Sequence, residues 1–97
     1  MSSPQRIVPG LTVSHSGQAT IDPSIRDTLF DLALALEGPT QLPVDIEHVV
    51  AAMVLASRHG ELDADTPIDS SDTVLAAQLV PHIRTVFKMF GGIVGED

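Results

Sequence analysis

Asp45-Ile46-Glu47-His48-Val49-Val50-Ala51-Ala52-Met53-Val54-Leu55-Ala56-Ser57-Arg58-His59-Gly60 is the stretch on which the fold turns. The Asp45 carboxylate suits a helix N-cap, Val44 and Val49 take the two positions of a hydrophobic staple around it, and Gly60 supplies a stop. From Val49 to Ala56 the run is apolar on every side, which in a soluble protein implies a helix covered over most of its surface. Ala51, Ala52, Ala56 and Ser57 allow close approach of the covering elements. This segment is therefore expected to be the central helix.

On its N-terminal side, Asp22 and Pro23 signal the start of another helix, with an apolar stripe of Ile25, Leu29, Leu32, Ala33 and Leu36. Phe30 and Leu34 lie beside the stripe and widen it, and Gly38-Pro39 is expected to stop the helix after Glu37. On the C-terminal side, Asp69, Ser70 or Ser71 can cap a third helix whose apolar positions Leu75, Leu79, Ile83, Val86, Phe87 and Phe90 stay in phase across Pro81. An unbroken phase predicts one helix kinked at Pro81, ending at Gly91-Gly92. Residues 11–21 alternate apolar and polar around Ser16-Gly17 and read as a weak hairpin. The expected organisation is a flexible arm over 1–10, a single mainly α domain over 11–92 built as a three-helix bundle with the extended element laid on it, and a tail over 93–97.

Composition narrows the function. Five Lys and Arg against thirteen Asp and Glu give a net charge of −8, and the basic residues are scattered along the chain. A phosphate-tracking surface needs clustered cations, so neither nucleic acid nor an anionic membrane is an expected partner. The longest apolar run, Val49 to Ala56, falls far short of the ~20 residues that span a bilayer, and Met1 to Arg6 lack a leader's apolar core. A soluble, cytoplasmic protein is expected. With no cysteine, thiolate metal sites and cysteine nucleophiles are excluded.

The connector Glu61-Leu62-Asp63-Ala64-Asp65-Thr66-Pro67-Ile68-Asp69-Ser70-Ser71-Asp72 concentrates five carboxylates between two helices. Over its twelve residues it resembles the calcium loop of the EF-hand family, which would make Glu61, Asp63, Asp65, Asp69 and Asp72 side-chain ligands and the Pro67 carbonyl a main-chain one. It departs from that pattern at Thr66, where the loop requires glycine for its sharp turn, and at Asp72, which is one methylene short of the usual bidentate glutamate. Asp69-Ser70-Ser71-Asp72 at a helix start also resembles the Asp-Ser-Leu motif of acyl carrier proteins, which would make Ser70 the attachment point of the phosphopantetheine arm. Here the leucine after the serine is missing. The residues by themselves read as a solvated connector whose acids favour the start of the third helix.

Catalysis has little to build on. His15, His48, His59 and His82 fall at no i+3 or i+4 spacing, so no two can share a metal on one helix, and they read as solvent-facing, with His59 near a helix C-terminus. Ser14-His15-Ser16 lacks a nucleophile elbow and a partner acid. Neither an enzyme nor a cofactor is expected. The expectation is a protein-interaction module, an adaptor, regulator or subunit, that buries an apolar helix face against a protein partner or in a homodimer. Met53, Leu79, Ile83, Phe87 and Phe90 are the interface candidates, and the alternative is a cation-binding or acyl-carrying module centred on 61–72.

Overall fold

Among the described residues, three helices and a short antiparallel sheet are arranged in the order β1 (Gln5–Val8), β2 (Leu11–Val13), β3 (Ala19–Ile21), α1 (Pro23–Thr40), α2 (Ile46–Arg58) and α3 (Thr73–Val94). The computed structural model describes residues 5–14, 16, 18–69 and 71–94, of which 90–94 are described by backbone alone. The tail residues 95–97 lie outside this set.

The first difference from expectation is at the N-terminus. Residues 5–8 of the expected flexible arm form a strand, paired so that Arg6 faces Thr12 and Val8 faces Leu11, with a bulge between Arg6 and Val8. In a regular strand consecutive side chains point to opposite faces, whereas the bulge lets both Ile7 and Val8 turn inward, where each is buried. The turn between the strands is Pro9-Gly10, with Gly10 at φ 94°. Proline followed by a residue at positive φ is the signature of a type II turn. The Gly10 carbonyl accepts from the Asp22 backbone N–H at 2.7 Å, so the turn is tied to the start of α1.

The first two helices open as their sequences imply. Asp22 caps α1, its carboxylate accepting from Ser24 N–H at 2.9 Å. Asp45 caps α2, accepting from Ile46 N–H at 2.8 Å, and a reciprocal bond runs from Asp45 N–H to His48 Nδ1 at 2.9 Å. The helix ends are less legible. α1 runs past Gly38-Pro39 to Thr40, which is buried and donates its hydroxyl to the Leu36 carbonyl; Gln41 at φ 58° then closes the turn by donating to Glu37. Proline removes one backbone donor and crowds the carbonyl four residues back, a local cost confined here to the last turn, which the bonds of Thr40 and Gln41 hold in place. α3 likewise continues through Gly91-Gly92 to Val94, and Pro81 lies inside it. Its cap is Asp72, accepting from Val74 and Leu75 N–H at 3.0 and 3.2 Å, and not one of the three residues before it.

Gly60, at φ 72°, ends α2. Its N–H bonds to the Ser57 carbonyl while Glu61 N–H reaches back to Ala56 at 2.9 Å, the two bonds of a Schellman motif. All three helices contact one another, most broadly α2 with α3, and Ile7 and Val8 close the core from the sheet side. Leu29, Leu32 and Leu36 of α1, Val49, Ala52, Met53 and Ala56 of α2, and Leu79, Ile83 and Val86 of α3 fill that core.

Candidate functional site

The side of α2 that faces the core is Val49, Ala52, Met53 and Ala56. By the ~100° advance per residue of a helix, Ala51, Val54 and Leu55 point the opposite way. They are only half-buried, and they form the floor of an open groove of about 770 Å³. One wall is the sheet, through Val13, Ala19 and Ile21; the other is α3, through Val86 and Met89. Met89, 55% exposed, forms the rim of this wall with an unbranched side chain that can adapt to an occupant. Glu47 stands at the N-terminal end of the floor and Arg58 at its C-terminal end, both exposed and neither in an ion pair among the described residues. The groove exists because α2 is apolar all round while the protein covers only part of it.

Three of the interface candidates lie elsewhere. Met53, Leu79 and Ile83 are each fully buried, with 0% exposure, because they are the side chains through which α2 and α3 pack on each other and on α1. They are core and cannot present a surface. Phe87 is half-buried, its ring 4.3 Å from that of His48, and the side chain of Phe90 lies outside the described residues. Among the described residues the exposed large apolar side chains are instead Phe30, Leu34, Val74 and Met89; Phe30 and Leu34, expected to widen the buried stripe of α1, stand half out in solvent.

The connector carboxylates are dispersed among separate tasks. Asp63 accepts from Asp65 N–H and from the Thr66 hydroxyl, and Asp69 from the N–H and hydroxyl of Ser71. These bonds hold both below the ordinary carboxylate pKa of 3.8, the backbone donor contributing most, as Ser24 N–H does for Asp22. Asp65 pairs with Arg6 at 2.6 Å, Asp72 caps α3, and Glu61 meets His82 Nε2 at 2.8 Å. Among the described residues, no three His, Asp or Glu come together as a group able to hold a metal ion. Ser70, on which the acyl-carrier resemblance depends, lies outside the described residues.

His48 and His82 depart from the solvent-facing expectation, whereas His59 is exposed at the C-terminal end of α2 as expected. His82 stacks on His59 at 5.5 Å between ring centroids and is largely buried, with 12% side-chain exposure, so that α3, the end of α2 and the start of the connector meet through Glu61, His59 and His82. His48 is half-buried between its capping bond and Phe87. His15 lies outside the described residues. Such contacts join positions more than twenty residues apart and leave no trace in local spacing. Among the described residues no helix is long and apolar enough to cross a membrane. No family model, curated protein or solved structure matches this chain.

Proposed function

We propose that this protein is a small acidic interaction module, without catalytic activity of its own, that acts by burying the outward face of α2 against another protein surface. The observation that supports this reading is the placement of Ala51, Val54 and Leu55: apolar residues on the side of the central helix opposite the core, floored into a groove of about 770 Å³ with apolar walls. Contiguous apolar concavities of this kind are where proteins receive partners, most simply an amphipathic helix lying along the groove. Basic or locally complementary partners are favoured by the net charge of −8.

The test compares the native chain with Val54→Asp, which puts a carboxylate on the groove floor and leaves the core face of α2 untouched. The native chain is expected to bind a hydrophobic fluorescent dye, or to scatter light with a mass above 10.3 kDa at ~100 μM, and the variant to lose that property with its helical circular dichroism intact. A native chain that scatters as a 10.3 kDa monomer and binds no dye would overturn the proposal.

A further inference from the structure

The sheet wall of the groove ends in an open strand edge. β3 is the last strand in the order β1-β2-β3, and the groove takes its sheet lining from β2 and β3 and not from β1, so it opens on the β3 side. Pairing with β2 fixes which backbone groups of β3 point outward. Ser14 N–H donates to the Gln18 carbonyl at 2.9 Å and Asp22 N–H to the Gly10 carbonyl at 2.7 Å, with Thr12 opposite Thr20 midway between them. Bonded and non-bonded pairs alternate along an antiparallel ladder, so Thr20 turns its N–H and carbonyl toward β2, whereas Ala19 and Ile21 turn theirs away from the sheet. Among the described residues those four outward groups have no partner. The side chains of Ala19 and Ile21 line the groove. The open edge and the apolar floor of Ala51, Val54 and Leu55 therefore border one space, with Val86 and Met89 of α3 across it.

We infer that the occupant of the groove is an extended segment of another protein, added antiparallel to β3 as a fourth strand, with alternate apolar side chains over the floor of α2. This rests on the reading of the groove as an interaction surface and deepens it. Two residues of such a segment, opposite Ala19 and Ile21, satisfy all four outward groups, and their side chains fall on the groove side. A helix bonds its own backbone internally, so a helix lying here would cover those groups and leave them unpaired, which costs more than a hydrogen bond returns. The recess between β3 and α3 admits a single strand, which brings no walls of its own. Asp45 and Glu47 outweigh Arg58 along the groove, and the chain carries a net charge of −8, so the segment is one flanked by Lys or Arg. An open edge also draws weak pairing between copies at high concentration, which the segment should displace.

The probe is the capped peptide Lys-Val-Thr-Val-Thr-Val-Lys, together with two versions methylated on the backbone nitrogens of either its valines or its threonines. Binding is read by calorimetry and the edge by amide hydrogen exchange. In the free chain the Thr20 amide should exchange slowly and those of Ala19 and Ile21 freely; saturating peptide should slow the latter two by about tenfold or more. Methylating the valines removes the donors that face Ala19 and Ile21 and should weaken binding by about tenfold or more, the change expected from losing two backbone bonds. Methylating the threonines, whose N–H groups face away, should change it by less than about threefold. Ala19→Pro removes one outward donor and no bond to β2, so it should keep the native circular dichroism and bind the peptide about tenfold more weakly. Val54→Asp should not bind it. Equal binding of the three peptides, or Ala19 and Ile21 amides left unprotected at saturation, would overturn the strand addition, and dye binding by the same chain would leave the groove as an interaction surface. A chain that binds neither peptide nor dye would overturn both readings. Sensitivity to threonine in place of valine methylation would overturn the antiparallel register, and copies that hold the edge against saturating peptide would overturn the foreign partner.

Discussion

Gly10 and Gly60 offer a controlled pair of substitutions, because both sit at positive φ, 94° and 72°, but only one is crowded. A Cβ placed on Gly60 meets nothing within 4 Å, whereas one placed on Gly10 comes within 3.0 Å of Cδ1 and Cγ2 of Ile25 and 3.1 Å of its Cγ1. Cγ1 and Cγ2 are the two branches at the root of a β-branched side chain, so no single rotation withdraws both. Gly60→Ala should therefore cost about 1 kcal/mol, the left-handed penalty of roughly 1–2 kcal/mol less the few tenths to 1 kcal/mol that alanine returns by restricting the unfolded chain. Gly10→Ala carries the same two contributions plus an overpacking cost of about 1–3 kcal/mol, since Ile25 must shift where it packs on the core. The expected ordering is Gly10→Ala well below Gly60→Ala below native in urea midpoint at constant m, followed by circular dichroism. Equal midpoints for the two variants would refute the seating of the Pro9-Gly10 turn on Ile25, and with it the tie between that turn and the start of α1.

Four further outcomes follow from the same contacts. Ala52→Leu, at a position with 0% exposure on the core face of α2, should destabilise by roughly 1–3 kcal/mol, and an unchanged melting midpoint would mean that α2 is peripheral. Asp72→Ala should cost about 1 kcal/mol by freeing the N–H groups of Val74 and Leu75, with Asp72→Asn retaining most of the native stability, both read from urea curves. Asp22, Asp63 and Asp69 have folded pKa values below 3.8, so their stabilising bonds are fully present above that pH and are lost as pH falls through the folded values; the urea midpoint should drop below pH 3.8, and less steeply in a triple Asp→Asn variant. Calorimetric titration with calcium should reveal no saturable site tighter than about 1 mM, because the connector carboxylates are held by separate turns, a cap, an ion pair with Arg6 and a contact with His82.

Local chemistry made parts of this fold legible. Asp22-Pro23 and Asp45 mark helix starts because an N-cap needs only its own side chain and the next few N–H groups, and both starts lie where the sequence puts them. The helix ends were harder, since Thr40 holds the last turn of α1 from a buried position that no local pattern reveals. β1 carries a local signal of its own: Pro9-Gly10 between Val8 and Leu11 is a turn dipeptide between apolar residues, and it marks the hairpin. The site was the least legible part, for a reason intrinsic to α2. A helix that is apolar all round carries no periodicity to say which face the rest of the chain covers, so Met53, on the core side, looked as available as Val54, on the open side. The ion pair between Arg6 and Asp65 and the stacking of His59 on His82 depend on the tertiary path alone.

The central claim, that the outward face of α2 is a surface made to be covered, is tested most directly by the concentration dependence of the thermal midpoint. Association that binds only the folded chain raises the midpoint by mass action. Between ~1 μM and ~500 μM the native protein is expected to gain about 5 °C, the size of shift that roughly 1 kcal/mol produces in a domain of this length, while Val54→Asp should melt at one temperature throughout. A native midpoint that does not move over that range, in a chain that also binds no hydrophobic dye, would contradict the account.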